Sequence, residues 1–155
     1  MSRAFVKEPD GLDAFEELPD KLISEHRNIV TADGLAMIEA EASRFAEELA
    51  AAQAINDRAA IARASRDLRY WSSRRATAEV LSPPSDTTQV QFCSTVTIRR
   101  DDGRQQTFRI VGEDEANPSK GTLSYVSPLA QALLGRALSD VVAAGNGEAE
   151  IVKIS

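Results

Sequence analysis

What this 155-residue chain lacks narrows its function before any motif does. Its single cysteine, Cys93, excludes an internal disulfide and a cysteine-built zinc cluster. Cys93 lies in the alternating run "VQFCSTVTI" and reads as a buried, inert thiol. With only one histidine, His26, set in a polar N-terminal tract, chemistry that needs a second imidazole is out of reach. No apolar run approaches the ~20 residues that span a bilayer, so no membrane contact is expected. The opening "MSRAFVKEPDGLDAFEELPDKL" lacks the apolar centre of a secretory signal, which points to a cytoplasmic protein. Positive charge is also in deficit. A formal charge of −6 argues against wrapping nucleic acid directly. What remains, 43% hydrophobic and 27% charged residues, suits one large or two small globular domains.

Charge is unevenly spread along the chain. Residues 1–28 carry Glu8, Asp10, Asp13, Glu16, Glu17, Asp20 and Glu25, two prolines and few aliphatics, so residues 1–30 read as an acidic, disordered tail. Within it, "LDAFEEL" has the composition of a transient helix. Thr31 then fits a helix N-cap, with Asp33 in the first turn. Leu35, Ile38, Ala42, Phe45, Leu49 and Ala52 follow at alternating spacings of three and four, which is a heptad seam. After a break at Ile55-Asn56-Asp57-Arg58, the residues Ile61, Ala64, Leu68, Trp71, Arg75 and Ala78 repeat that spacing. Residues 31–81 therefore predict an antiparallel helical hairpin with arms of roughly 35 Å. The first arm is acidic, and the second holds Arg58, Arg63, Arg66, Arg69, Arg74 and Arg75, so the flanks should attract. The six arginines read as a solvated, pairing face, with a polymerase- or nucleic-acid-facing role as the alternative; Trp71, beside Tyr70, reads as seam.

Pro83 and Pro84 make residues 82–89 a stiff linker. From Val90 the texture becomes that of strands. "VQFCSTVTIRR", the turn "DDG" and "RQQTFRIVG" predict a β-hairpin, and "TLSYVS" predicts a further strand. In "SPLAQALLG", Ser127 caps, Pro128 takes the first helical position and Gly135 stops a short helix. "DVVAA", "GNG" and "EAEIVKI" predict a closing strand pair. The fold class is α+β, with the two-helix coiled coil first and a compact domain over residues 90–155 second.

The stretches "IVGEDEA" (110–116), "KGTLSYVSPLAQALLG" (120–135) and the "SDVV" that follows closely resemble the C-terminal domain of the bacterial Gre transcript cleavage factors. Upstream, "TADGL" and "AEVL" are similar to the start and end of the Gre coiled coil, so the resemblance covers all but the tail. It implies a globular domain similar to the FK506-binding-protein fold, docked at the rim of the secondary channel of bacterial RNA polymerase, with the coiled coil inserted. It further implies that acidic residues at the tip help the polymerase's own centre hold a second Mg²⁺ while backtracked RNA is hydrolysed. On that reading the chain is no enzyme itself, brings no cofactor of its own beyond the polymerase-bound Mg²⁺, meets nucleic acid only within the elongation complex and acts as a monomer.

The tip departs from the family pattern. Gre tips resemble "GDLSENAEY", with two acids three residues apart, whereas this chain has "AINDRAAIARA" on arms about three turns shorter. Asp57 is the sole carboxylate between Glu48 and Asp67, with Arg58 beside it. It reads either as the N-cap of the second helix or as a Mg²⁺-directed residue. Ser127 and Pro128 are first a helix cap, and the resemblance adds polymerase docking; Asp114 and Glu115, in the acidic loop "GEDEAN", are solvated or polymerase-facing. The functional expectation is an elongation factor that binds the secondary channel and modulates elongation, with stimulated cleavage of backtracked RNA as an option that the tip does not support. The alternative is a non-cleaving channel occupant resembling the regulator of nucleoside diphosphate kinase or the inhibitory Gre homologues. A prolyl isomerase, suggested by fold analogy alone, would have only Phe92, Phe108 and Tyr125 to line its pocket.

Overall fold

The structure, a computed structural model, describes residues 18–155. The expectations of tail disorder and a transient helix in "LDAFEEL" thus fall largely outside the described residues. In chain order the elements are β1 (Ile29–Val30), α1 (Ala32–Ala54), α2 (Arg58–Thr77), β2 (Glu79–Val80), β3 (Thr95–Arg100), β4 (Gln105–Val111), a 3-10 turn (Pro118–Lys120), β5 (Thr122–Ser124), α3 (Pro128–Leu133), β6 (Val141–Ala144) and β7 (Gly147–Ile154). They form two compact units. One gathers the chain through Ser24 with Glu39–Ala76, and the other joins Glu25–Ile38 to Thr77–Ser155.

In the helical unit α1 and α2 reverse on a three-residue turn and pack closely, the coiled coil that the 3-4 spacing foretells. On α1 the expected stripe is inside: Ala42, Phe45 and Ala52 are buried and Leu49 is half-buried. On α2 the stripe differs from expectation. Ala62 and Ala64 are buried, Ile61, Leu68 and Trp71 are half-buried, and the arginine at the far end of the stripe is Arg74 rather than Arg75. Arg74 is 2% exposed and Arg75 is exposed. Arg74 and Trp71 are three residues apart, one turn along the same face, so either arginine satisfies a helical period and packing decides between them. Small alanines fill much of the seam, and each removes little apolar surface from water, at about 25 cal/mol per Å². Arg44 pairs with Glu41 and Glu48 on its own helix, while Arg69 meets Asp20 at 2.6 Å and Asp67 meets Lys21 at 2.6 Å. The N-terminal segment from Leu18 thus runs beside α2 as a strap, where a disordered tail was expected.

Two further expectations change at the hairpin's base. The second helix ends at Thr77, not near residue 81, because Glu79–Val80 pair in parallel with Ile29–Val30. Ala78 therefore lies outside the helix. The Glu79 amide donates to the Asn28 carbonyl at 2.8 Å and the Leu81 amide to that of Val30 at 3.0 Å, bonds unavailable to a continuing helix. Val30 is 1% exposed, so residues 28–30 belong to a core and not to a tail.

The second unit is a five-stranded sheet in the order β5-β4-β3-β7-β6, antiparallel except for the parallel β4–β5 pair. The two-residue period puts Val96, Ile98, Phe108, Ile110 and Ile151 on one buried face, and α3 packs Ala130 and Leu133 against it. The first strand of the hairpin starts at Thr95, five residues later than the pattern from Val90 suggests. Residues 91–94 instead form a turn in which Cys93 takes φ 71°. There the Gln91 amide donates to the Ser94 hydroxyl at 2.9 Å and the Ser94 amide returns to the Gln91 carbonyl at 3.0 Å.

Candidate functional site

The tip is built by local chemistry. Asn56 adopts φ 53°, a left-handed conformation that Asn tolerates, and turns the chain between the helices. The Asp57 amide closes α1 by donating to the Ala52 carbonyl at 3.0 Å. Its side chain then opens α2: Oδ1 accepts from the Ala60 amide at 3.1 Å, and the Asp57 carbonyl accepts from the Ile61 amide at 2.9 Å. Asp57 is therefore an N-cap, placed where the partial positive charge of the helix end suits a carboxylate. It is also exposed, as are Ile55, Asn56 and Arg58. Ile55 stands 75% in solvent, so the turn presents one apolar, one acidic and one basic side chain outward. Among the described residues no three His, Cys, Asp or Glu side chains converge, and the tip offers one carboxylate beside one guanidinium. That donor set does not make a Mg²⁺ site by itself.

The first helix begins on a carboxylate too, but a distant one. Glu115 Oε2 accepts from the Thr31 amide at 2.9 Å and from the Gly112 amide at 3.2 Å, and its Oε1 accepts from the Thr31 hydroxyl. Thr31 Oγ1 in turn accepts from the Gly34 amide at 3.0 Å, the N-cap bond expected of it. Two glycines make room for this clasp. A Cβ on Gly34 would stand 2.0 Å from Glu115 Oε2, and one on Gly112 would stand 2.5 Å from the Ile29 carbonyl oxygen. The stretches "TADGL" and "IVGEDEA", far apart in sequence, are thus two halves of one hydrogen-bonded joint. Sequence reasoning missed it. The available signal was a glycine in the first turn of a helix, which helix propensity disfavours by about 1 kcal/mol. Glu115 is engaged inside the unit, whereas its neighbour Asp114 is half-buried in the same loop.

Ser127 and Pro128 sit as expected. The Ser127 side chain accepts from the Ala130 amide at 3.4 Å, and Pro128 opens α3 with its ring exposed. The Tyr125 carbonyl accepts from the Gln131 side-chain Nε2 at 2.6 Å, and the Tyr125 ring meets Phe92 edge-on at 5.8 Å. Phe108 is core, so the three aromatics of the domain are engaged in packing and give no support to a proline pocket. Cys93 is 4% exposed, its thiol donates to the Leu81 carbonyl at 3.4 Å, and burial pushes the thiol above its usual range. Asp57 belongs to the helical unit, and the loop and α3 residues belong to the sheet unit.

Comparison with known proteins meets this geometry. Residues 85–155 match the family model described as transcription elongation factor, GreA/GreB, C-terminal. The chain is 37% identical over 134 residues to transcription elongation factor GreA of Desulfovibrio desulfuricans, covering 85% of this chain and 79% of that one. It is 33% identical over 141 residues to the GreA of Chloroflexus aggregans, covering 81% and 88%. Among solved structures, GreA factor homolog 1 of Thermus thermophilus aligns over 84% of this chain and 99% of that one, with 20% identity and a TM-score of 0.39. These matches to GreA extend well beyond the 71 residues of the C-terminal model. The chain belongs to the GreA/GreB family of transcription elongation factors.

Proposed function

We propose that this protein is a cytoplasmic elongation factor that docks on bacterial RNA polymerase through residues 90–155 and presents the hairpin tip to the secondary channel. Docking is assigned to the exposed Pro128, to Ser127 and to Asp114. Glu115 supports that surface indirectly, by fixing its loop to the root of α1. The observation that carries the reading is the tip: an exposed carboxylate, Asp57, held at the turn of a two-helix hairpin in a chain of this family. Polymerase-centred cleavage of backtracked RNA would draw on that carboxylate alone.

A second reading, occupancy of the channel without cleavage, is favoured by the same residue's surroundings. One oxygen of Asp57 is already bonded to the helix end, Arg58 adjoins it, and the nearest acids in sequence are Glu48 and Asp67. Asp67 is itself held by Lys21. The deciding experiment uses a stalled, backtracked elongation complex with the wild type, Asp57→Asn and Asp57→Ala. Asparagine caps about as well as aspartate, so Asp57→Asn removes charge while keeping the turn. Cleavage by the wild type that drops to background with Asp57→Asn establishes the carboxylate role. Binding without cleavage by all three establishes the second reading, and absence of binding at low salt removes both.

A further inference from the structure

The strap beside α2 is held by charge more than by apolar burial. Residues 18–24 form neither helix nor strand, and all but Leu18 and Ser24 are exposed. Leu22 stands 96% in solvent and Ile23 is exposed as well, so these two aliphatic side chains anchor little. The charged side chains make the hold. Asp20 Oδ1 accepts from Arg69 Nε at 2.6 Å. Lys21 Nζ lies 2.6 Å from Asp67 Oδ1 and 5.8 Å from the centre of the Tyr70 ring, so a carboxylate and an aromatic face grip one ammonium. Asp67 and Tyr70 are three residues apart, and Arg69 and Ser73 four, so each pair spans one turn of α2. Strap and helix together line a groove of about 230 Å³ among Asp20, Lys21, Ile23, Arg69, Tyr70 and Ser73.

Opening such a contact costs little. Asp20, Lys21 and Arg69 are exposed, so water already reaches three of the four paired charges. Only the Asp67 side chain, at 13%, is covered, and Arg66 remains 3.5 Å from it when Lys21 leaves. No carboxylate is stranded. An exposed ion pair shifts a balance by up to about five-fold, so the two together favour the closed strap by roughly ten-fold, and screening erodes that margin.

We propose that residues 18–24 are a reversible electrostatic latch on α2, closed at low ionic strength and opened by salt or by an anion that takes Arg69 from Asp20. Closed, the latch covers Asp67, Tyr70 and Ser73 and keeps partners off that face of the helix. Open, it gives the face to solvent. The latch works whether or not the protein binds polymerase.

Ser73→Cys tests this in the full chain, because Cys93 is buried and labels slowly. With an uncharged thiol reagent, labelling at position 73 should quicken roughly ten-fold between about 10 mM and about 1 M salt, as the screening length falls from about 30 Å to about 3 Å. Gln53→Cys, at an exposed position on α1 away from these contacts, should label at one rate throughout. Adding Asp20→Arg to Ser73→Cys should give the fast rate at low salt. Adding Arg69→Asp to that chain should restore the slow rate, because the ion pair is then reversed and intact. Labelling at position 73 that ignores both salt and Asp20→Arg overturns the proposal. So does an equal response to salt at position 53, or a reversed pair that fails to restore protection.

Discussion

Each long helix of this protein begins on a carboxylate, and the two could hardly be more different in cost of removal. Helix α2 starts on Asp57, three residues from the amide it caps, exposed and made by the turn itself. Helix α1 starts on Glu115, 84 residues away from Thr31, which is 2% exposed. At Asp57 water can replace whatever is lost. At Glu115 it cannot, because the buried Thr31 and Gly112 amides have no other acceptor within the joint. The two acids also differ in how much of the fold hangs on them: one closes a turn, the other joins stretches of chain 84 residues apart. An acid that few other groups depend on can change with function, whereas an acid that completes a buried joint is fixed by folding.

The comparison breaks first if Glu115 proves dispensable. Glu115→Ala leaves two buried amides without an acceptor, at about 1–3 kcal/mol each, so a loss of roughly 2–6 kcal/mol is expected. Glu115→Gln keeps one oxygen for those amides, and its NH₂ can donate to the Thr31 hydroxyl, so about 1 kcal/mol is expected. Urea unfolding followed by circular dichroism checks both, read from the midpoint at unchanged slope. Equal effects of the two variants would show that charge at the α1 N-terminus, not the buried amides, carries the joint.

Gly34 supplies the next largest effect, and here two terms oppose. In a free helix Gly→Ala stabilises by roughly 0.5–1 kcal/mol. In the joint the added Cβ would stand 2.0 Å from Glu115 Oε2, so the carboxylate must leave and its hydrogen bonds go with it. The clash should win, with a net loss of about 1–3 kcal/mol. In a Glu115→Ala background the same substitution should turn neutral or stabilising, because the obstructing carboxylate is gone. That sign reversal, measured as a double-mutant cycle, separates the clasp from ordinary helix propensity.

Much of this was legible in the sequence, and what was not has a physical reason. The seam of α1, the N-caps at Thr31, Asp57 and Ser127, and the closing strands all follow from interactions within a few residues. Beyond that range the reading failed. Nothing near Ile29 announces a strand, because its partner Glu79 lies fifty residues on. Val90 alternates with its neighbours like a strand residue, yet the chain turns at Cys93 before the ladder begins. Arg74 and Arg75 are equivalent to a periodicity argument, and only packing chooses between them. Glu115 looked like one of three acids in a solvated loop, since no local pattern betrays a partner at Thr31. At the candidate site the sequence placed Asp57 correctly as a cap, while the strap along α2 and its groove were visible only once Asp20 and Arg69 were brought together.

The smallest effect is expected at the tip, and it sharpens the contrast most. Asp57→Ala deletes an exposed cap, at about 1 kcal/mol, whereas Asp57→Asn should fall within a few tenths of the wild type. Neither should alter the unfolding slope, since little apolar surface depends on the turn. If Asp57→Asn instead costs as much as Asp57→Ala, the carboxylate's charge matters to folding. A natural source of that charge dependence is the helix dipole together with Arg58. High salt then distinguishes the two, because screening weakens the charge contribution at an exposed site and leaves the capping hydrogen bond in place. A near-silent Asp57→Asn on folding is also what makes it usable on the polymerase: any change it produces there reports on the carboxylate and not on a frayed tip.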